Sequence, residues 1–114
     1  MIIKRFEDVI AWQKAKILTI DIYNNFQHCR DYSLKDQIQR ASVSIMNNIA
    51  EGFERQTNKE LIHFLYIAKG SCAEVRSMIN LAVELKYLSR EKAISTYLSS
   101  IEISKIISGL IKTL

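Results

Sequence analysis

Residues 34–55 read LKDQIQRASVSIMNNIAEGFER. The stretch has no Pro and one Gly near its end, so its spacing predicts a helix. At 100° per residue, Leu34, Ile38, Ala41, Ile45 and Ile49 share one face and are expected to enter a core. On one flank Gln37, Arg40, Ser44, Asn48, Glu51 and Arg55 recur at steps of three or four, forming a continuous polar stripe. Roughly opposite the core face lie Val43, Met46, Ala50 and Phe53. A helix with two apolar faces is expected to pack twice, once in its own bundle and once on another subunit. An apolar face left in water is an aggregation liability. Val43, Met46, Ala50 and Phe53 are therefore the candidate oligomer interface. The polar stripe gains a structural role as a seam that fixes register through mutual hydrogen bonds. Ser71 and Glu74, on the following helix, are assigned to the same seam, and Glu51 or Glu74 is the expected partner of Arg40. Gly52 costs about 1 kcal/mol relative to Ala inside a helix, so it marks either close packing or the fraying end.

Three further helices surround this one. The first is expected over about 8–26, capped by Asp8, with Val9, Trp12, Ala15, Ile22 and Phe26 on its apolar face. The second starts at the capping box Ser33–Asp36 and covers about 34–55. The third follows the capping box Thr57–Glu60 and covers about 58–86. Its apolar residues Leu61, Leu65, Ala68, Cys72, Val75, Ile79 and Ala82 alternate steps of four and three, a heptad seam. Gly70 before Ser71 reads as a close-approach point. The fourth helix is expected over about 90–113, capped by Ser89, with Ile94, Leu98, Ile101, Ile107 and Leu110 as much of its apolar content. Ile62, Tyr66, Ile67, Ala73, Met78 and Leu81 on the third helix, and Ile10, Ile17 and Ile20 on the first, lie off a simple core face and again favour self-association. Four helices joined by short loops predict an all-α, antiparallel up-down-up-down four-helix bundle, one domain over residues 1–114.

The composition agrees. Hydrophobic residues make up 48% and charged residues 25%, which is globular rather than disordered. There is no Pro and only three Gly, so long helices with few turns are expected. The net charge of +4 permits contact with nucleic acid without requiring it. No signal-like leader is read at the start, and no apolar run is long enough to span a bilayer, with Asp21, Glu84 and Glu102 interrupting the candidates. A cytoplasmic location is expected, with Cys29 and Cys72 as free thiols, no membrane contact, no metal site and no cofactor.

Several pieces resemble one family in order: FEDVIAWQKA near the start, YSLKDQIQRASVSIMNNIAEGFER in the second helix, and FLYIAKGSCAEVRSMINLAVELKYL in the third. Together they are similar to the 23S rRNA-intervening sequence protein family across about residues 6–88. Gln37, Arg40, Ser44, Asn48, Glu51, Gly52, Gly70, Ser71 and Glu74 fall on the family pattern. The loop before the second helix lacks a Pro common in the family, Arg76 stands where an acid is more typical, and the fourth helix carries no family signature. The resemblance implies a compact four-helix bundle that assembles as a homo-oligomer, a ring of five. A similar protein, the accessory variability determinant of diversity-generating retroelements, implies an accessory subunit that binds nucleic acid and docks a reverse transcriptase.

The residues admit three functions. The first is a nucleic-acid-binding oligomer contacting phosphates through Lys14 and Lys16, or Arg55 and Lys59. With no ribonucleoprotein aromatic motif or Gly-rich clamp, such binding would rest on charge and shape. The second is a protein-interaction scaffold docking a nucleic-acid enzyme. The third is a small helical ribonuclease using Arg55 and His63, but a helix break separates them and no carboxylate–His–nucleophile set emerges. The expected protein is therefore not an enzyme.

Overall fold

The computed structural model describes residues 3–114. These form four α-helices and, among the described residues, no strand: α1 Ile10–Asn25, α2 Tyr32–Phe53, α3 Asn58–Glu84 and α4 Arg90–Thr113. Each helix touches two others: α1 packs on α2 and α4, and α3 packs on α2 and α4. The body measures 43 × 21 × 19 Å.

The helix starts follow side-chain chemistry, with two departures from expectation. Thr57 caps α3, its Oγ1 accepting from the Glu60 amide at 3.2 Å and donating to the Glu60 carboxylate at 3.0 Å. Ser89 caps α4 by accepting from the Lys92 amide at 3.3 Å. Asp8, expected to cap α1, instead ends a 3-10 turn over Phe6–Asp8 and faces Arg5 at 3.7 Å. Packing sets this entry: buried Val9 occupies the cap position without a side-chain bond, and Phe6 meets Trp12 edge-on at 5.2 Å. Ser33 is likewise not the α2 cap. Asp31 is, through Oδ1 accepting from the Leu34 amide at 3.1 Å, and Ser33 lies in the first turn. A carboxylate there also complements the partial positive charge of the helix start. Its other oxygen accepts from the Tyr87 hydroxyl at 3.1 Å, tying the α1–α2 loop to the α3–α4 loop.

The helix ends are earlier than the apolar pattern suggested. α2 stops at Phe53 rather than Arg55. α3 stops at Glu84 because Lys86 adopts φ 63, the left-handed region. The Tyr87 amide then bonds to the Ala82 carbonyl at 2.9 Å and the Lys86 amide to that of Val83 at 3.0 Å. This is a Schellman stop built on a Lys where Gly is the usual residue.

On α2 and α3 the core is the one the periodicity drew. All seven heptad residues of α3 are buried, as are Leu34, Ile38, Ala41, Ile45 and Ile49 of α2. From α1 come Val9, Ala11, Ala15, Leu18, Ile22 and Phe26, with Trp12 only half-buried. α4 differs from expectation. Its inward stripe is Ala93, Thr96, Ser100, Ile103 and Ile107, whereas Ile94 and Leu98 face outward. The buried hydroxyls of Thr96 and Ser100 donate to the carbonyls of Lys92 and Tyr97, so they enter the core without unmet polar groups. Across helices, Thr19 Oγ1 donates to the Ser42 carbonyl at 3.1 Å. Gly52 is the tightest approach: a Cβ there would lie 2.9 Å from Leu61 Cδ1 and 3.0 Å from Phe64 Cβ. Gly70, the expected close-approach point, has nothing within 4 Å of such a Cβ.

Candidate nucleic-acid interface

The polar stripe of α2 divides into a knit centre and loose ends. Ser71 donates from Oγ to Ser44 Oγ at 2.9 Å, joining α3 to α2. Asn48 donates from Nδ2 to the same Ser44 hydroxyl at 2.9 Å and to the Ser44 carbonyl at 2.8 Å. Outside this triad the stripe bonds locally along the chain. Gln37 donates to Ser33 at 3.3 Å. Arg40 pairs with Asp36 at 2.8 Å, not with Glu51 or Glu74, and its side chain is 79% exposed. Glu51 pairs with Arg55 at 2.6 Å. Exposed Glu74 shares a shallow groove of about 280 Å³ with Gln37, Arg40 and Ser44.

The second apolar face of α2 is largely covered within the chain. Val43, Met46, Ala50 and Phe53 are all half-buried, with Met46 and Phe53 packed against the core cluster. The reason is position: α2 lies between α1 and α3, and these neighbours overlap its sides. The large exposed apolar side chains lie elsewhere, among them Ile17 (58%) on α1 and Ile94 (59%) and Leu98 (58%) on α4.

The expected phosphate contacts separate into two free and two engaged cations. Lys14 is held by Glu102 at 2.6 Å, bridging α1 to α4. Arg55 is held by Glu51 and by Glu60 at 3.8 Å, with its guanidinium 4.9 Å from the Phe64 ring. Lys16 is exposed over Trp12, 5.6 Å from the ring, and Lys59 is exposed at the start of α3. Lys14 and Lys16 sit on α1, Arg55 in the α2–α3 connection and Lys59 on α3.

Further basic residues lie on α3 and α4; Lys69 and Arg76 belong to the wider set of cations read from the sequence as nucleic-acid candidates, whereas Lys105 and Lys112 do not. Lys69 and Arg76 sit seven residues apart on α3, both half-buried, and Lys105 and Lys112 sit seven apart on α4, both exposed. Among the described residues, none of the four has a carboxylate partner within 4.0 Å. The missed signal was a lack of acid: none occurs from Leu61 to Ala73 or from Ile103 to Leu114. Beneath this surface lies Cys72, whose thiol burial pushes up from 9.0 to about 11, while the Arg76 and Lys69 cations pull the other way. Among the described residues, no group of three or more His, Cys, Asp or Glu is placed to hold a metal ion. No helix among them is long and apolar enough to cross a membrane.

The sequence profile described as 23S rRNA-intervening sequence protein matches residues 7–109. The chain belongs to that family. A solved structure, that of a protein of unknown function from the S23 ribosomal protein family of Bacteroides thetaiotaomicron VPI-5482, superposes with a TM-score of 0.85 at 26% identity. The match covers 90% of this chain and 99% of that one. No curated protein matches. That neighbour shares the fold and is itself described as of unknown function.

Proposed function

We propose that this intervening-sequence protein is a non-catalytic, homo-oligomeric, cytoplasmic nucleic-acid-associating bundle whose contact surface is the crease between α3 and α4. The reading takes the helices as an antiparallel up-down-up-down course. Two pairings support that course: Ser44 meets Ser71 while Gly52 meets Leu61, and Thr19 meets Ser42 while Gln27 meets Lys35. The short connection Leu85–Ser89 then lays the acid-free stretch 61–73 of α3 along the acid-free stretch 103–113 of α4, with Lys69 level with Lys105 and with Arg76 and Lys112 toward opposite ends of the crease. A rise of 1.5 Å per residue puts Lys69 about 10 Å from Arg76, and Lys105 about 10 Å from Lys112. Four cations in such a row meet phosphates without reading bases. The observation that carries the reading is that, among the described residues, none of these four has a carboxylate within 4.0 Å. A ring of five, which the family resemblance implies, would repeat the crease around its rim.

The test is a fluorescence-anisotropy titration of a structured rRNA fragment at low salt. Lys105→Glu/Lys112→Glu is expected to weaken binding by about tenfold or more, whereas Lys14→Ala, which alters an engaged cation, leaves it nearly unchanged. No binding by the parent at micromolar protein, or equal loss in Lys14→Ala, would refute it.

A further inference from the structure

Gly70 stands in the middle of α3 without a packing reason. A Cβ there would meet nothing within 4 Å, although Gly weakens a helix interior relative to Ala. One turn earlier on the same face stands Tyr66, whose side chain is 57% exposed. Beside both is Lys69, its Nζ 6.0 Å from the centroid of the Tyr66 ring. Two other rings meet a cation, Trp12 with Lys16 and Phe64 with Arg55, and both are half-buried. Of the three, Tyr66 is the one with its ring in solvent. From this we infer that the α3–α4 crease takes single-stranded nucleic acid, with an unpaired base stacked on Tyr66 and the strand passing close to the α3 backbone at Gly70.

Cations by themselves do not choose between a duplex and a single strand, since both present phosphates. An aromatic ring does, because a stacked base must offer a π-face, which its neighbours cover inside a duplex. Gly serves where a ligand must come close to the backbone, and Gly70 leaves that space next to the ring. Lys69, and Lys105 level with it across the crease, then flank the stacked base with positive charge. The acids nearest in sequence lie elsewhere: Glu74 lines the groove against α2, and Glu102 holds Lys14 of α1. Past Arg76 the crease opens into a groove of about 390 Å³, lined in part by Val83, Ile94, Tyr97 and Leu98 and also by Arg90. Tyr97 lies about 16 Å along the crease from Tyr66, at 1.5 Å of rise per residue, and gives a second base an aromatic wall. Glu84 lines the same groove at the loop end; its carboxylate repels phosphate and marks where the strand leaves the crease. Stacking of this kind tolerates any base, so it selects the state of the strand without adding sequence readout.

This inference rests on the charged crease of the proposed function and is separable from it by the choice of probe. A labelled oligouridylate of about 16 nucleotides is titrated by fluorescence anisotropy at low salt, beside an A·U duplex and an abasic strand of the same length. Folding of each variant is checked by circular dichroism. Tyr66→Ala is expected to weaken single-strand binding by about tenfold, while duplex binding, abasic-strand binding and the salt slope keep their parent values. Tyr66→Phe keeps the ring and is expected to keep the affinity. Gly70→Leu, which points into open space, is expected to fold at least as stably as the parent and to weaken single-strand binding by covering the flank of the ring. A parent that binds neither single strand nor duplex at micromolar protein overturns both this inference and the proposed function. A parent that binds, with Tyr66→Ala keeping its single-strand affinity or losing duplex and single strand equally, overturns stacking on Tyr66 alone and leaves the charged crease standing.

Discussion

Gly52 and Gly70 form an internal control for how α2 and α3 meet. An Ala at Gly52 would place its Cβ 2.9 Å from Leu61 Cδ1, 3.0 Å from Phe64 Cβ and 3.4 Å from the Leu61 carbonyl oxygen. The Leu61 methyl can swing away. The Phe64 Cβ and the carbonyl are fixed to the α3 backbone, so the helices must part. Overpacking of this kind costs about 1–3 kcal/mol, against a propensity gain of at most about 1 kcal/mol that shrinks in the last turn of α2. At Gly70 nothing lies within 4 Å, so Ala keeps the full gain of about 1 kcal/mol. With a specific unfolding entropy of about 2.1 cal/mol/K per residue, 1 kcal/mol moves the midpoint of a chain this size by about 4 °C. Gly70→Ala should therefore raise Tm by about 4 °C and Gly52→Ala lower it by about 4–8 °C. Thermal unfolding followed by far-ultraviolet circular dichroism reads both. If Gly52→Ala were stabilised as much as Gly70→Ala, the close approach of α2 and α3 would be wrong.

Three other predictions follow from single contacts. Lys86→Gly should stabilise by about 1 kcal/mol in urea unfolding, because its left-handed backbone penalises a Cβ. Ser71→Ala should cost about 1 kcal/mol by removing the cross-helix bond to Ser44, whereas Arg40→Ala, breaking only an exposed pair with Asp36, should stay within about 0.5 kcal/mol. Equal losses in the two variants would contradict this division of the polar stripe. Cys72 should resist alkylation in the folded protein, because burial holds the thiol neutral. As pH rises, the unfolded chain gives up that proton first, so stability should fall by about 1.4 kcal/mol per unit between about 9 and 11. Cys72→Ala should lose that segment of the pH profile, and an unchanged profile would rule the linkage out.

How much was legible varied with the kind of signal. The α3 heptad and the α2 core face were readable because a buried helix stripe imposes a period that nothing else in the chain mimics. Thr57 and Ser89 were readable because their hydroxyls stand at the boundary of an apolar pattern. Asp31 was missed for Ser33 because its advantage is partly tertiary: one oxygen caps α2 while the other receives the Tyr87 hydroxyl from a distant loop. The end of α3 was missed because a Lys occupies a left-handed position that Gly usually signals. The outward turn of Ile94 and Leu98 was hidden because Thr96 and Ser100, polar by type, took the inward stripe and bonded to their own helix. On the candidate site, counting cations found Lys14 and Arg55 but not their engagement by Glu102, Glu51 and Glu60. Those partners lie across a helix boundary or on the next turn, where charge counts alone do not distinguish a free cation from a paired one.

The most direct test of the central claim is the salt dependence of RNA binding, measured on the parent and on a variant with Lys69, Arg76, Lys105 and Lys112 all replaced by Ala. Each phosphate contact contributes roughly 0.7–0.9 to the slope of log affinity against log salt. If the α3–α4 crease is the contact surface, the variant's slope should be shallower by about 3 for each bound subunit, with affinity lost uniformly across RNA sequences. A variant that keeps the parent's slope and affinity would show that nucleic acid, if bound, is held elsewhere, and would contradict the account.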